Sequence, residues 1–413
     1  MAAAELPVRV LMLHSRYSTG ASSGENRVVE DEADMLRARG HDVILWSPEP
    51  DGGGAAGRAR MAASAVWSVR AMRTLRDLLG RHRPDVVHAH NLFPMVSPAV
   101  LRVSGPPAVV TLHNYRLLCL PATFLRDGRT CESCLGRSPI QGVVHRCYRG
   151  SAVGSAALAA SLSLHRRAGT FDRVATYIAV SDFVKAKHVE AGWPAERIVV
   201  KPNFARPARR RQGPGESFLY LGRLSPEKGL DGLLKAWRRI PARLVVVGDG
   251  PERPALEAIA PANVEFAGAV PAERVGEHLE RARALVLPSI CYEGAPRTVV
   301  EAFAAGVPVI ASRRGALPDI VEHGSSGLIV DPGDQVAWAE AVERLCDDDA
   351  SIRMGEAALR SWGRTFSPDR SAKTLERIYA AAIQLQSNPR SGPSPAVPDL
   401  TAAKSSRISQ GTR

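Results

Sequence analysis

The chain has 413 residues, 45% hydrophobic and 23% charged, with a formal net charge of +12. That composition excludes a wholly disordered or fibrous chain, and the length excludes a single core; two or three domains are expected at roughly 150 residues each. The positive excess lies mainly in residues 1–200, with 25 Lys and Arg against 17 Asp and Glu; it suits phosphorylated ligands or anionic head groups, and no nucleic-acid-binding signature accompanies it, so nucleic acid is not an expected partner.

The opening stretch MAAAELPVRVLMLHSRYS has no charged region ahead of its short apolar run. It reads as a first strand rather than a secretory signal, and no stretch approaches the roughly 18 apolar residues of a membrane span. A cytoplasmic chain is expected. Its six cysteines are then thiols or metal ligands rather than disulfides.

Apolar runs predict strands at 8–14, 42–46, 85–89, 108–112 and 177–180, and helical spacing predicts helices at 25–39, 66–79 and 183–191. The Gly/Ala/Arg-rich segment 51–63 reads as a loop. A Pro/Gly/Arg-rich stretch, KPNFARPARRRQGPGES at 201–217, reads as an interdomain linker. The alternation then restarts, with strands at 218–221, 243–247, 264–266, 284–287, 307–311 and 327–330. Helices are expected at 229–239, 254–260, 336–345, 351–360 and 371–384, and Asp347 to Asp349 should form a solvated turn between two of them. From residue 386 the chain is Ser/Pro/Thr-rich, and a disordered tail is expected.

Strands alternating with helices predict an α/β protein with two parallel doubly wound sheets. The expected plan is a Rossmann-like domain over 1–200, a second over 218–365, a closing helix over 366–385 and a tail over 386–413. The two domains should face each other across a cleft, because ligands bind beyond the C-terminal ends of such strands.

The stretch YEGAPRTVVEAFAAGVPVIAS carries Glu293 and Glu301. A strand ends ahead of it, Glu293 falls in the following loop, and a helix opening at Arg297 or Thr298 carries Glu301. The free N–H groups of that helix start form an anion site, and a carboxylate just beyond can accept two sugar hydroxyls. This order suits a phosphate-linked sugar lying across a helix start. It suits a glycosidase pair less well, because those carboxylates flank one bond.

With YLGRLSPEKGLDGLL, VVVGDGPERPAL, NVEFAGAVP, RPDVVHAHN and TLHN, this element resembles the retaining glycosyltransferases of family 4, which have the GT-B fold. The resemblance runs from about residue 8 to 385. It implies that Arg223 and Lys228 clamp a donor diphosphate, giving electrostatic catalysis with no metal cofactor. It further implies that Glu293 contacts the transferred sugar and Glu301 the ribose. Backbone N–H groups of Arg297, Thr298 and Val299 would take the distal phosphate. Gly248 and Gly250 would line the donor pocket, with Val270 beside the base. His113 would face the sugar from the acceptor side, and Gly24 would leave room for phosphate and acceptor. Many family members read Glu-Gly-Phe-Gly where this chain reads EGAPR, and Pro296 removes a backbone donor there. The partners implied are a nucleotide-diphosphate sugar and a glycan or lipid-linked glycan acceptor, in cell-envelope or exported polysaccharide synthesis. A sugar-nucleotide epimerase or a non-catalytic sugar-nucleotide binder would be built on the same scaffold.

Three further features stand apart. His88 and His90 in VVHAHN look like a metal pair, but alternate strand residues share a face, and packing is the favoured reading. Cys119, Cys131, Cys134 and Cys147 fall within one insert at 115–150, and a C-x2-C knuckle with flanking cysteines suits structural zinc; plain thiols or two disulfides are the alternatives. SAVGSAALAASLSL at 151–164 is uncharged between basic flanks. It is either a buried Ala-rich helix or a helix lying on an anionic membrane surface.

Overall fold

The computed structural model describes residues 7–16, 24–50 and 54–387. The first domain contains β1 (Arg9–His14), α1 (Gly24–Ala38), β2 (Asp42–Trp46), α2 (Ala55–Val66), α3 (Val69–His82), β3 (Val86–Asn91) and β4 (Ala108–Leu112). It continues through a small hairpin, β5 (Leu125–Arg126) and β6 (Arg129–Thr130), then α4 (Ile140–Val144), α5 (Ala152–Arg167), β7 (Thr176–Ala179), α6 (Asp182–Glu190) and β8 (Ile198–Val200). Its parallel sheet runs β2-β1-β3-β4-β7-β8.

The second domain contains β9 (Ser217–Leu221), α7 (Leu230–Trp237), β10 (Leu244–Val247), α8 (Arg253–Ile259), β11 (Val264–Gly268), α9 (Val275–Arg281) and β12 (Ala282–Leu287). Then come α10 (Arg297–Ala304), β13 (Val309–Ser312), α11 (Leu317–Ile320), β14 (Gly327–Val330), α12 (Gln335–Cys346) and α13 (Asp348–Ser361). Its parallel sheet runs β11-β10-β9-β12-β13-β14. The inner strand Val309–Ser312 and even the edge strand Gly327–Val330 are buried along their whole length. Helices cover both faces of such a sheet, so the strands read as unbroken apolar runs rather than alternating ones.

The predicted strands are all present, and the two-sheet α/β architecture is as expected. Four local differences have physical causes. The expected loop at 51–63 holds most of α2, an alanine-rich segment whose helix propensity outweighs its glycines. Val66 closes that helix, and α3 starts only after Ser68, whose hydroxyl accepts from the Ala71 N–H. Residues 198–200 add a sixth strand, too short to carry a pattern of their own. Asp347 is a helix cap, its carboxylate accepting from the Ala350 N–H at 2.7 Å.

The segment at 201–216 is pinned rather than loose. Lys201 is buried with its Nζ 2.7 Å from Glu32, Asn203 donates to the Ala295 carbonyl, and Arg211 donates to Ser351 and the Arg283 carbonyl. After α13 the chain crosses back as α14 (Pro368–Ser387). Leu375, Ile378, Tyr379 and Ala382 pack into the core of the first domain, against Val10, Met12 and Val29. Gln386 and Ser387 finish this helix, and the rest of the expected tail lies outside the described residues.

Candidate active site

Strand order reverses between β1 and β3 in one sheet and between β9 and β12 in the other. Loops leaving the strands on either side of such a point diverge, and the crevice between them is where open α/β sheets bind ligands. In the second domain the β9 loop brings Arg223 and Lys228 to that point, and the β12 loop brings Glu293.

Lys228 Nζ lies 2.8 Å from Glu293 Oε1, and Ser289 donates to the same oxygen at 2.5 Å. Glu293 is buried. Burial alone would raise its carboxyl, but the Lys228 ammonium and the Ser289 hydroxyl outweigh it and hold the group below the ordinary carboxylate range. Burial works against the Lys228 ammonium, and the facing carboxylate more than reverses this, raising its pKa. Both groups are therefore charged near neutrality. Arg223 is exposed and has no ion pair with another described residue.

Glycines hold these loops. At Gly248, φ +143°, a Cβ would lie 1.8 Å from the Gly222 carbonyl oxygen; at Gly250 it would lie 2.2 Å from that of Leu224. The missing side chains let the β10 loop clasp the backbone on either side of Arg223, with Leu224 N–H donating to the Asp249 carbonyl. Gly248 and Gly250 thus contact the β9 loop, a bracing position that the expected pocket-lining role did not include. Val270, after β11, is half-buried against the apolar cluster of the second domain that includes Val299 and Phe303 of α10.

The α10 start differs in part from expectation. Val299 is fully buried and its N–H is taken by the Pro296 carbonyl, so it presents no donor. Arg297 and Thr298 stand at the exposed end, half-buried. The Arg297 guanidinium holds Glu301 at 2.6 Å and, across the domain boundary, Asp31 at 2.5 Å. In this conformation the Glu301 carboxylate is therefore engaged by Arg297.

From the first domain, His113 follows β4 and its backbone carbonyl lies against Gly294. Its Nε2 is 2.9 Å from His90 Nδ1, with the rings stacked. Burial lowers both imidazoles well below their usual value, so they are neutral at physiological pH. Gly24 opens α1 with open space where a Cβ would project.

His88, Glu32 and His90 form a trio of convergent ligand atoms, the one such group among the described residues. Both His88 nitrogens are taken by hydroxyls, of Tyr379 and Thr111 at 2.7 Å each, and Lys201 already neutralises Glu32. The packing reading fits this better than a metal site. The four insert cysteines lie apart from this centre, around a small separate cavity.

Sequence reasoning missed the brace behind Glu293. Tyr115 donates to the Glu293 carbonyl at 3.3 Å, and Ala316 N–H donates to it at 2.8 Å. A Cβ at Gly315, φ +58°, would lie 2.3 Å from that carbonyl oxygen. The glycine three residues after β13 was the available signal, since a glycine there marks close backbone approach.

Residues 22–209 match the family described as Glycosyltransferase Family 4, and residues 215–348 that described as Glycosyl transferases group 1. The chain is 33% identical over 244 residues to a GDP-mannose-dependent alpha-(1-6)-phosphatidylinositol monomannoside mannosyltransferase of Mycobacterium tuberculosis, covering 52% of this chain and 63% of that one. It is 31% identical over 212 residues to an exopolysaccharide phosphotransferase of Streptomyces coelicolor, covering 48% and 22%. The chain thus spans less than two thirds of the length of these curated relatives. Among solved structures, sucrose-phosphate synthase from Thermosynechococcus elongatus superposes with a TM-score of 0.67 at 19% identity, over 92% of this chain and 99% of that one. Anabaena HepE, in complex with UDP and glucose, gives 0.61 at 17% identity, over 90% and 99%. No helix among the described residues is long and apolar enough to cross a membrane. The two consecutive glycosyltransferase matches thus fall one on each parallel-sheet domain, and the chain has the GT-B fold.

Proposed function

We propose that this chain transfers a sugar from a nucleotide-diphosphate donor to an acceptor hydroxyl with retention. The observation that carries the reading is the Lys228 ammonium, fixed by Glu293 at the strand-order reversal beside the exposed Arg223. Two cations at the place where such sheets bind phosphates supply what the leaving group needs. As the bond between the anomeric carbon and the diphosphate oxygen breaks, charge grows on the diphosphate, and Arg223 and Lys228 stabilise it. The acceptor oxygen bonds to the anomeric carbon, and its proton passes to the departing diphosphate. In this reading the two cations do the work that other transferases give to a metal.

Glu293 holds Lys228 in place and faces the sugar, and neutral His113 presents its ring from the acceptor side. Glu301 takes the ribose once Arg297 has turned to the distal phosphate beside the Arg297 and Thr298 amides. A relative that uses GDP-mannose and a structural neighbour that holds UDP make nucleotide diphosphates the class to screen. Thermal melts with UDP, GDP and ADP test the reading. A ligand binding only the folded state adds about 2.7 kcal/mol at a hundred times its Kd. One nucleotide should raise the Tm, and Arg223→Ala or Glu301→Ala should remove the shift. No shift with any of them at millimolar concentration would overturn the donor site.

The acceptor side supports a lipid-linked glycan in envelope or exported polysaccharide synthesis, with the chain peripheral on an anionic membrane face. Six α5 residues, among them Leu158 and Leu162, are buried, yet Ile140, Val144 and Val153 are 55%, 66% and 74% exposed at the neighbouring corner. Exposed Arg146 and Arg149 flank them. Apolar side chains ringed by arginines suit an anionic bilayer surface. Flotation with anionic vesicles at low salt should carry the protein upward, less so for Val144→Ser/Val153→Ser, and absence of flotation would overturn this assignment.

A further inference from the structure

We propose that Cys119, Cys131, Cys134 and Cys147 bind one zinc ion, and that this ion holds the insert against the loop carrying Glu293. The four residues come from three stretches of the insert, yet all line one small cavity together with Leu120 and Leu125. Four cysteine ligands make a closed structural zinc site. The first part of the insert is packed into the core of the first domain through Tyr115, Leu118, Leu120 and Phe124, whereas residues 125–150 have little else to fix their shape. Their regular structure is two two-residue strands and the five-residue α4. Ala122, Phe124, Asp127, Arg146 and Arg149 all have left-handed backbone, a conformation non-glycine residues keep only where the surroundings impose it. In this structure no three of these sulfurs lie within 4.8 Å of one another; a zinc ion would draw them together by rotation about their Cα–Cβ bonds within the shared cavity.

The site connects to the active centre through the Cys119 turn. Tyr292, next to Glu293, donates its N–H to the Thr123 carbonyl at 3.4 Å. Its ring packs 5.9 Å from Phe124 and 4.9 Å from Phe183. Glu132, between two of the cysteines, pairs at 2.7 Å with Lys187, whose ammonium sits 5.6 Å over the Tyr292 ring. A turn fixed by the metal therefore backs the loop of the opposite domain.

The test uses the full chain purified without chelator. Elemental analysis should find about one zinc per chain, and thiol titration after denaturation should find all six cysteines reduced. Cys134→Ser should lose the metal, Cys131→His should keep it, and Cys346→Ser should change nothing. Cobalt(II) exchanged into the site should give a thiolate-to-cobalt charge-transfer band. Should Cys134→Ser fail to fold, chelator treatment of the wild type gives the same comparison. Hydrogen exchange in 288–296 should quicken when the metal is withdrawn; unchanged exchange would overturn the bracing of the Glu293 loop. Zinc below about 0.2 per chain, with disulfides or with six freely reactive thiols in the folded chain, would overturn the site itself. These readouts do not involve donor binding, so they stand or fall apart from the glycosyltransfer reading.

Discussion

Arg297 and Asp31 join the two domains at the mouth of the crevice, guanidinium to carboxylate at 2.5 Å with both side chains largely buried. Asp31 also receives Arg206 at 2.8 Å. Asp31→Ala should therefore leave two cations short of a partner and cost about 1–3 kcal/mol in urea unfolding. If Arg297 must swing toward the donor, the same variant should bind nucleotide no more weakly than wild type. A fall in nucleotide affinity of tenfold or more would mean that Asp31 instead holds Arg297 in its working position.

The Lys228–Glu293 pair should be unforgiving. Lys228→Ala leaves a buried carboxylate with only Ser289 for company, and loss of one partner of a buried pair costs about 3–5 kcal/mol. Glu293→Gln keeps the shape and the Ser289 contact, so it should fold with a smaller loss. Its transfer rate should fall at least tenfold because Lys228 is no longer anchored. Full transfer by Glu293→Gln in a radiolabelled-donor assay would remove Glu293 from the reaction.

Gly248→Ala should displace the β10 loop, since the new methyl would meet the Gly222 carbonyl at 1.8 Å in a conformation that side chains rarely adopt. A loss of about 2–4 kcal/mol is expected, together with weakened nucleotide binding as Arg223 moves. Gly276→Ala in α9 meets nothing within 4 Å and is the control; it should be neutral or stabilising by less than about 1 kcal/mol. Equal behaviour of the two variants would show that the β10–β9 clasp is not needed.

Acid should unfold the protein early. Burial holds His88 and His188 down to about 4 and also lowers His14, His90 and His113. An unfolded chain protonates these rings near their ordinary value of about 6.5, whereas the folded chain does not. Below that pH the unfolded state binds more protons, so stability falls as pH drops toward 4 and is level above 6.5. Each such histidine contributes up to about 1.4 kcal/mol per pH unit across that window. Urea midpoints at pH 7.5, 6 and 5 should fall progressively, and a flat profile would contradict neutral burial of the cluster.

Much of this was legible in the sequence because each feature is local. Strands buried on both faces write themselves as runs such as LVVV and GLIV, and Glu293, Lys228 and Arg223 announce themselves by following a strand within a glycine-flanked loop. What was hidden depends on approach between distant segments. Nothing near Lys228 says that its partner lies 65 residues away, nor that Gly248 exists to admit Gly222. Arginines and glycines disguised α2, whose place is set by Ser161 and His165 of α5 bonding its last carbonyls. The engagement of Arg297 by Glu301 and Asp31 was equally invisible, since it needs both domains to be placed first.

The return of α14 to the first domain also sets an order of events during synthesis. Val10, Met12, Val29 and Leu36 share their apolar cluster with Leu375, Ile378 and Tyr379, and Arg39 and His41 meet Glu376. A ribosome that has released the first two hundred residues has released a sheet with one part of its covering still untranslated. Domains usually fold as they emerge, but this one must wait through the whole second domain before its last helix arrives. Nascent chains arrested before residue 368 should therefore carry an exposed apolar face, and that is the stage at which a chaperone has most to hold.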